Sequence, residues 1–419
     1  MRRAHGFVGL LVVAAVVVAA TACARVRPLL ELPELALGEP SFFPTLEAYA
    51  GAPIVGGNRV EPLLNGQEIF PAKLAAIRSA KVSVTYAEYF FEDGPVAQEL
   101  TEALAERCRA RIPVHVLLDG FGSLAMPPEY GERMRAAGCE VVSFRPLKPF
   151  TVHRANKRNH RRILVVDGRL GFTGGSGVSS KWMGNGRMEG RWRDTDVRVE
   201  GPVVQHLQAA FVENWVEATG VVLGGEAYFP RPLPARGQVH AQVVRSSPAT
   251  GSYAMYTTLL LAMASAQRSI HVSNPYFVPD DKLQEALVAA ARRGVKVVAL
   301  VPANIDHNLV RWASRRRFGP LLRAGIEIYE YQAAFLHAKT MVIDGVWSTV
   351  GSTNFDNRSF ALNDELNLIV YDRAFGQRME KIFSEDLAHS RPVDYRGWQK
   401  RGLTERLMEW LGIPLHDHL

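Results

Sequence analysis

Hydrophobic and polar positions divide this chain into short segments that recur. From Gly6 to Ala24 the chain is apolar and uncharged, after Arg2, Arg3 and His5, and Arg25 closes the run. Residues 26–50 carry Pro, Leu and Glu without a period, which predicts a tether, and an ordered body is expected from Gly56 onward. A helix fits residues 71–80, with Pro71 in its first turn. The apolar run VSVTYAEYF (82–90) reads as a strand. It is followed by a helix over 95–110, a strand at VHVLLD (114–119), a helix over 127–137 and a strand at EVVSF (140–144). Strands alternating with helices predict a layered α/β fold.

The second half repeats the first. SIHVSNPYF (269–277) answers 82–90, VKVVALV (295–301) answers 114–119, and IEIYEY (326–331) answers 139–144. Tyr89, Phe90 and Asp93 recur as Tyr276, Phe277 and Asp280, 187 positions on. A tighter repeat joins HRRILVVDGRLGFTGGSG (160–177), on a predicted strand over 160–167, to HAKTMVIDGVWSTVGSTN (337–354). Here His160 and His337, Asp167 and Asp344, and Gly174 and Gly351 are each 177 apart, so loops changed length between copies of a whole duplicated domain. The run FPRPLP (229–234) reads as a stiff linker. The expected organisation is a membrane-directing segment (1–24), a tether (25–54), and two similar α/β/α domains (55–235 and 236–419). Each domain is expected to have its own core, with a pseudo-two-fold axis between them and the active site at their interface.

Composition narrows the partners. A formal charge of +7 favours anions such as phosphate, nucleic acid or acidic lipid, without choosing among them. Arg outnumbers Lys 39 to 10, which suits phosphate recognition and equally fits a compositional bias. At the N-terminus, small residues precede Cys23 as at a lipoprotein cleavage site, although Ala20 stands where that motif prefers Leu. Cleavage after an Ala-x-Ala and an uncleaved anchor are the rival readings. All three place residues 26–419 outside the cytoplasm or at a membrane. No Cys/His cluster has zinc spacing, so no metal or cofactor is expected. Cys108 and Cys139 are expected as two buried free thiols, although an exported protein could pair them.

The repeated motif carries the candidate chemistry. On a strand, residues i and i+2 face the same way, which sets Arg162 beside His160 and Lys339 beside His337. The cation suits the non-bridging oxygens of a phosphate, while one imidazole attacks phosphorus and the other protonates the leaving oxygen. Such a His needs its second nitrogen held by an acceptor. Asp194, 34 residues after His160, and Glu365, 28 after His337, are the candidate orienters. The turns at Gly175-Ser176 and Ser352-x-Asn354 offer N–H groups and side chains to the phosphate. Asp167 and Asp344 precede Gly at strand ends and read as structural supports.

These two motifs resemble those of the phospholipase D superfamily. Their surroundings, including WRDTDVRVEGP (192–202), NPYFVPDD (274–281) and LHAKTMVIDGVWSTVGSTNFDNRSFALNDELN (336–367), resemble its bacterial cardiolipin synthase branch, over about residues 55–419. The resemblance implies a metal-independent double displacement through a phosphohistidine. The expected reaction is phosphatidyl transfer that forms cardiolipin from the anionic phospholipid phosphatidylglycerol, with no nucleic acid partner; a phospholipase D that hydrolyses phospholipids is the alternative, ahead of a nuclease or a catalytically dead lipid-binding protein. It implies that His160 is the nucleophile and His337 the acid, that Arg162, Lys339, Ser352 and Asn354 bind phosphate, and that Asp194 and Glu365 orient the two His. Two departures fall in the first motif: the family's Lys is Arg162 and its Asn is Gly177. They leave open that His337 takes the nucleophile's role.

Three weaker features remain. Nine Lys, Arg or His residues between Arg145 and Arg162 suggest a basic collar that guides lipid headgroups. The Tyr89/Phe90 and Tyr276/Phe277 pairs either line the site or pack in the core. Leu403, Leu407, Trp410 and Leu411 form a helical apolar stripe, to be docked on the second domain or laid on a membrane.

Overall fold

The computed structural model describes residues 32, 33, 35–147, 156–247, 252–306, 308–402, 405 and 406. The apolar N-terminal run and the C-terminal stripe from Leu403 to Leu411 lie outside the described residues, apart from Glu405 and Arg406.

The first half runs α1 (Phe42–Ala50), β1 (Val55–Leu64), α2 (Asn65–Ser79), β2 (Val84–Glu88), α3 (Pro95–Arg109), β3 (Val114–Asp119), α4 (Pro128–Ala136), β4 (Glu140–Phe144), β5 (Ile163–Val166), β6 (Leu170–Gly174), β7 (Trp192–Arg193), β8 (Thr195–Glu200) and α5 (Val204–Thr219). The second runs β9 (Val239–Ser246), α6 (Ala254–Ala264), β10 (Ser269–Ser273), α7 (Asp281–Arg292), β11 (Lys296–Pro302), α8 (Asn308–Arg323), β12 (Glu327–Tyr331), β13 (Phe335–Leu336), β14 (Thr340–Ile343), β15 (Trp347–Gly351), α9 (Asn357–Ala361), β16 (Glu365–Tyr371), α10 (Arg373–Leu387), β17 (Ser390–Pro392) and α11 (Tyr395–Gln399).

Fifteen strands form one sheet, in the order β17-β12-β11-β10-β14-β15-β16-β9-β1-β8-β6-β5-β2-β3-β4. Read inward from each end, β12-β11-β10-β14-β15-β16-β9 matches β4-β3-β2-β5-β6-β8-β1, strand for strand. This is the pseudo-two-fold of a duplicated α/β/α unit. The copies join where β1 and β9 pair antiparallel, through Val55 with Ala241 and Asn58 with Val239. β2, β3 and β10, β11 are parallel pairs buried on both faces, hence their nearly continuous apolar runs.

Three of these features differ from the sequence reading. Residues 42–50, assigned to the tether, form α1, whose Phe42, Leu46 and Ala50 are buried in the core beside α6. Their i, i+4, i+8 spacing is a helical stripe too short to stand out among Pro and Glu. α2 starts at Asn65, so Pro71 lies inside it. The cores are not one per domain. Each half has one, under α2, α3 and α4 or under α6, α7 and α8, but a third is shared, where α5 and α10 cover the opposite face across both halves.

Cys108 and Cys139 form a disulfide, not two free thiols, with Cα atoms 5.4 Å apart. Cys108 lies in the last turn of α3 and Cys139 precedes β4, and the packing of α3 on α4 brings them together across 31 positions of sequence.

Candidate active site

Both motif histidines precede their strands. The N–H of His160 donates to Asp364 O (2.9 Å) and that of His337 to Arg193 O (2.8 Å). Each histidine segment is thus stitched to the other half, next to the other half's carboxylate. The side chains repeat the exchange. His160 Nδ1 lies 3.0 Å from both oxygens of Glu365, and His337 Nδ1 lies 2.6 Å from Asp194 Oδ2. Asp194 and Glu365 do orient imidazoles, but in the opposite pairing to the one their sequence distances suggested. The reason is topological: β7 pairs with β13 parallel and Asn159 bridges Asp364, so each carboxylate is delivered across the pseudo-axis.

With Nδ1–H donated to a carboxylate, each Nε2 keeps its lone pair for chemistry. The cation of each motif lies there. Arg162 Nη2 is 3.3 Å from His160 Nε2, and Lys339 Nζ is 2.8 Å from His337 Nε2 and 2.9 Å from its Nδ1. Burial, with the charges of Arg162 and Lys339 added, pushes His160 down to about 4 against the pull of Glu365. Burial and Lys339 push His337 down to about 3. Both imidazoles are therefore neutral at pH 7. Burial, opposed by Asp194 and reinforced by Arg162, brings Lys339 down to about 7. Burial would raise Asp194, but the charges and hydrogen bonds around it, from His337, Lys339 and Trp182, hold it below the usual carboxylate range.

The carboxylates are fixed in turn. Glu365 accepts from Ser352 Oγ (2.5 Å), and Asp194 accepts from Trp182 Nε1 (2.8 Å) and from Thr195 N–H (2.8 Å). Asn65, in a left-handed conformation, accepts the N–H of Asp194 (3.1 Å) at its Oδ1. Gly175, the counterpart of Ser352, leaves no room for a side chain, since a Cβ there would sit 2.3 Å from Asp194 Oδ1. Trp182 also fills the space at Gly177, where a Cβ would lie 3.0 Å from its ring and 2.9 Å from Phe90 Cβ. A side chain is thus excluded at both Gly175 and Gly177 of the first motif.

The turns after β6 and β15 are not free phosphate cradles here. Gly175 N–H donates to Thr195 O and Ser352 N–H to Leu366 O. Ser176 gives its N–H and hydroxyl to Asp196, whose carboxylate also pairs with Lys73 Nζ at 2.6 Å. These N–H groups sit at strand pairings, where a buried donor must be satisfied. Asn354 keeps its Oδ1 buried without a partner among the described residues. Asp167 and Asp344 lie away from the imidazoles, each in a left-handed turn conformation. Asp167 accepts from the N–H groups of Lys81, Val82 and Ser83, and Asp344 from those of Gln267, Arg268 and Ser269.

The basic collar is corrected. Lys148, His153 and Arg154 lie outside the described residues. Arg158 and Arg161 are buried, the latter bonded to Asn214, Glu213 and Glu365 O, while Arg145 pairs with Glu217 and Asp364. Their partners come from distant sequence, so a run of charges looked solvated when it is largely inward. Among the described residues no group could hold a metal ion.

The comparisons with known proteins fit this geometry. The family model described as "Cardiolipin synthase, PLD-like domain" matches residues 259–387. A cardiolipin synthase of Geobacillus kaustophilus is 36% identical over 360 residues, covering 85% of this chain and 72% of its own. Cardiolipin synthase A of Pseudomonas putida is 36% identical over 364 residues, covering 87% and 74%. The chain belongs to the cardiolipin synthase family. In fold it is similar to a phosphatidylserine synthase of Haemophilus influenzae, with a TM-score of 0.65 at 12% identity over 90% of this chain and 100% of that one.

Within this cardiolipin synthase-family site, several neighbours escaped the sequence reading. Trp182, Trp192 and Phe335 surround the His337 ring, at centroid distances of 5.3, 4.8 and 5.8 Å. Glu88 lies 3.6 Å from Arg162 Nε, which has no hydrogen-bond partner among the described residues, and Tyr86 OH donates to Glu88 (3.0 Å). Trp192 and Asp194 share the quoted WRDTD run, which was a usable signal; nothing in sequence pointed to Glu88. The aromatic pairs divide: Tyr89 lies edge-on to His160 at 4.8 Å, whereas Phe277 is core.

Proposed function

We propose that this chain is a phosphatidyltransferase that forms cardiolipin from two molecules of phosphatidylglycerol. The observation that carries the mechanism is the crossed pairing: two histidines from opposite halves, each held at Nδ1 by the other half's carboxylate, each with a cation at Nε2. A phosphodiester anion entering between Arg162 and Lys339 offsets their charge and restores proton affinity to the imidazoles. Neutral His160 attacks phosphorus through Nε2. The bond to the headgroup glycerol oxygen breaks, and His337 gives that oxygen a proton. Asp194, held ionised, sustains the His337 imidazolium. The hydroxyl of a second phosphatidylglycerol then returns a proton to His337 and attacks phosphorus, and the phosphorus–nitrogen bond breaks. Asn354, donating from its side-chain NH2 group, and Ser352, acting through Glu365, complete the phosphate side.

The substrate lies in a membrane, and the catalytic body is assigned to the outer side of one. The Cys108–Cys139 disulfide and the apolar N-terminal run support this, since disulfides persist in oxidising compartments. The test is purified protein in mixed micelles with labelled phosphatidylglycerol, products resolved by mass spectrometry. Cardiolipin that excess glycerol reverses, and that survives EDTA, is the expected result. Phosphatidic acid alone would make the enzyme a hydrolase, and metal dependence would overturn the double displacement.

A further inference from the structure

The mouth of the site on the His160 side carries apolar side chains in solvent. Phe121 is 51% exposed, Leu124 64% and Leu147 45%, in a molecule whose other large apolar residues are mostly buried. They stand on two adjoining loops, because Gly120 lies against Pro146, where a Cβ would come within 2.6 Å of the Pro146 Cα. The loop of residues 120–126 is tied to the reaction centre. Asp119, fully buried at the end of β3, accepts the N–H groups of Phe121 (2.9 Å) and Gly122 (3.0 Å) on one oxygen and that of Asn159 (2.9 Å) on the other. Asn159 is the residue before His160. Gly122 is pressed on Tyr89, where a Cβ would sit 2.2 Å from the carbonyl oxygen, and Ser123 Oγ donates to that same oxygen (3.2 Å). Tyr89 in turn lies on His160. Basic residues lie on the adjoining segments: Lys157 is half-buried, its carbonyl accepting from Arg145 two residues before Leu147, and Arg358 donates to Asn156 and acts electrostatically on Tyr89.

We propose that the loop of residues 120–126, with Leu147, is the membrane-docking rim of this active site: Phe121, Leu124 and Leu147 enter the surface of an anionic bilayer while Lys157 and Arg358 face its headgroups. This rests on the phosphatidyl transfer reading for its occupant. The physical case is the combination of exposed apolar tips, adjoining cations and a rigid link to His160. Apolar burial and attraction to anionic lipid add in interfacial binding. A rim fixed through Asp119 would present phospholipid headgroups to His160 without the lipid leaving the bilayer.

The test uses the full chain in phosphatidylglycerol vesicles. F121S/L124S is compared with V82S, whose parent Val82 is 45% exposed at the opposite end of β2 from Tyr89. The expected result is that F121S/L124S loses about tenfold in turnover on vesicles yet stays within about twofold on dispersed short-chain phosphatidylglycerol, with V82S unchanged on both. Equal turnover on vesicles, or an equal fall on both substrates, would overturn the rim, as would a shift in oligomeric state that makes this patch a contact between copies. A readout independent of turnover is the labelling of Leu124→Cys and Val82→Cys by a water-soluble thiol reagent in the same vesicles, followed at each peptide by mass spectrometry. Protection of position 124 alone is expected, and equal labelling rates contradict the proposal. A wild type that turns over neither substrate refutes the transferase reading, and the labelling then judges the rim by itself.

Discussion

The two halves of this site share a skeleton and differ in what surrounds it. On both sides a histidine reaches across the pseudo-axis to a carboxylate and keeps Nε2 against a cation. Yet Glu365 is buttressed by the hydroxyl of Ser352, whereas Asp194 is buttressed by the indole of Trp182. Both cations donate to the histidine of their own motif, but Arg162 has a carboxylate neighbour in Glu88, whereas Lys339 has lost basicity. His160 meets one aromatic edge, and His337 is caged by three rings. Duplication thus supplies two histidines with the same wiring, and to the divergence around them we assign two roles. The ionised Asp194 and the aromatic cage suit a histidine that holds and returns a proton, and His160, with its single aromatic neighbour among the described residues, suits the nucleophile.

The largest expected effect comes from removing either imidazole. His160→Ala and His337→Ala should each lower kcat for phosphatidylglycerol by at least ~10³-fold in the micelle assay, since each transfer needs both nucleophile and acid. A variant of either kind that kept tenth-level activity would mean the halves are not both required.

Next come the crossed carboxylates. Asp194→Asn and Glu365→Gln should each cost about 10²–10⁴-fold in kcat, because an amide no longer fixes the tautomer or supports an imidazolium. The comparison sharpens with a donor bearing an acidic phenol leaving group. Such a donor should restore phosphoenzyme formation in Asp194→Asn far more than in Glu365→Gln. Equal restoration would mean the halves do not divide the roles as assigned.

A smaller effect separates the two cations by pH. Lys339, brought down to about 7 chiefly by burial, is charged below that pH and loses its proton above it. The kcat/KM of the free enzyme should therefore fall with rising pH as the His337 proton is lost, and about tenfold per unit more steeply beyond about 7, where Lys339 loses its proton too. Lys339→Arg should flatten the alkaline limb, because Arg stays charged. An unchanged limb in that variant would assign it elsewhere.

The disulfide is a further difference, since both of its cysteines are in the first half and the second half has none. Cys108→Ser should lower unfolding stability by about 2–4 kcal/mol, read from denaturant midpoints, with kcat changed by less than about twofold. A large loss of activity would mean that α3 and β4 position the site more tightly than their distance from it suggests.

Much of the fold was legible because the duplication was. Strands β2, β3, β4, β10, β11 and β12 follow apolar runs in α/β order, and the repeat fixes their equivalence. The histidines and cations were marked by the motif, and Asp194 and Glu365 only by their distances after it. What sequence did not carry was partnership. The exchange of Asp194 and Glu365 depends on β7 pairing with β13, two-residue strands with no period of their own. The inward turn of Arg158 and Arg161 depends on Asp119, Asn214 and Glu213, remote in sequence. Ser176 read as a phosphate ligand because its neighbourhood is Gly-rich, yet Asp196 and Lys73 claim its hydroxyl.

The central claim is that the two halves divide one reaction, His160 carrying the phosphatidyl group and His337 the proton. It is tested most directly by trapping the covalent intermediate. His337→Ala and His160→Ala are each mixed with the phenol-leaving-group donor, quenched, and mapped by mass spectrometry for phosphatidyl-histidine. The account predicts the adduct on His160 in His337→Ala and none in His160→Ala. An adduct on His337 in His160→Ala, with none on His160 in the other variant, would contradict it.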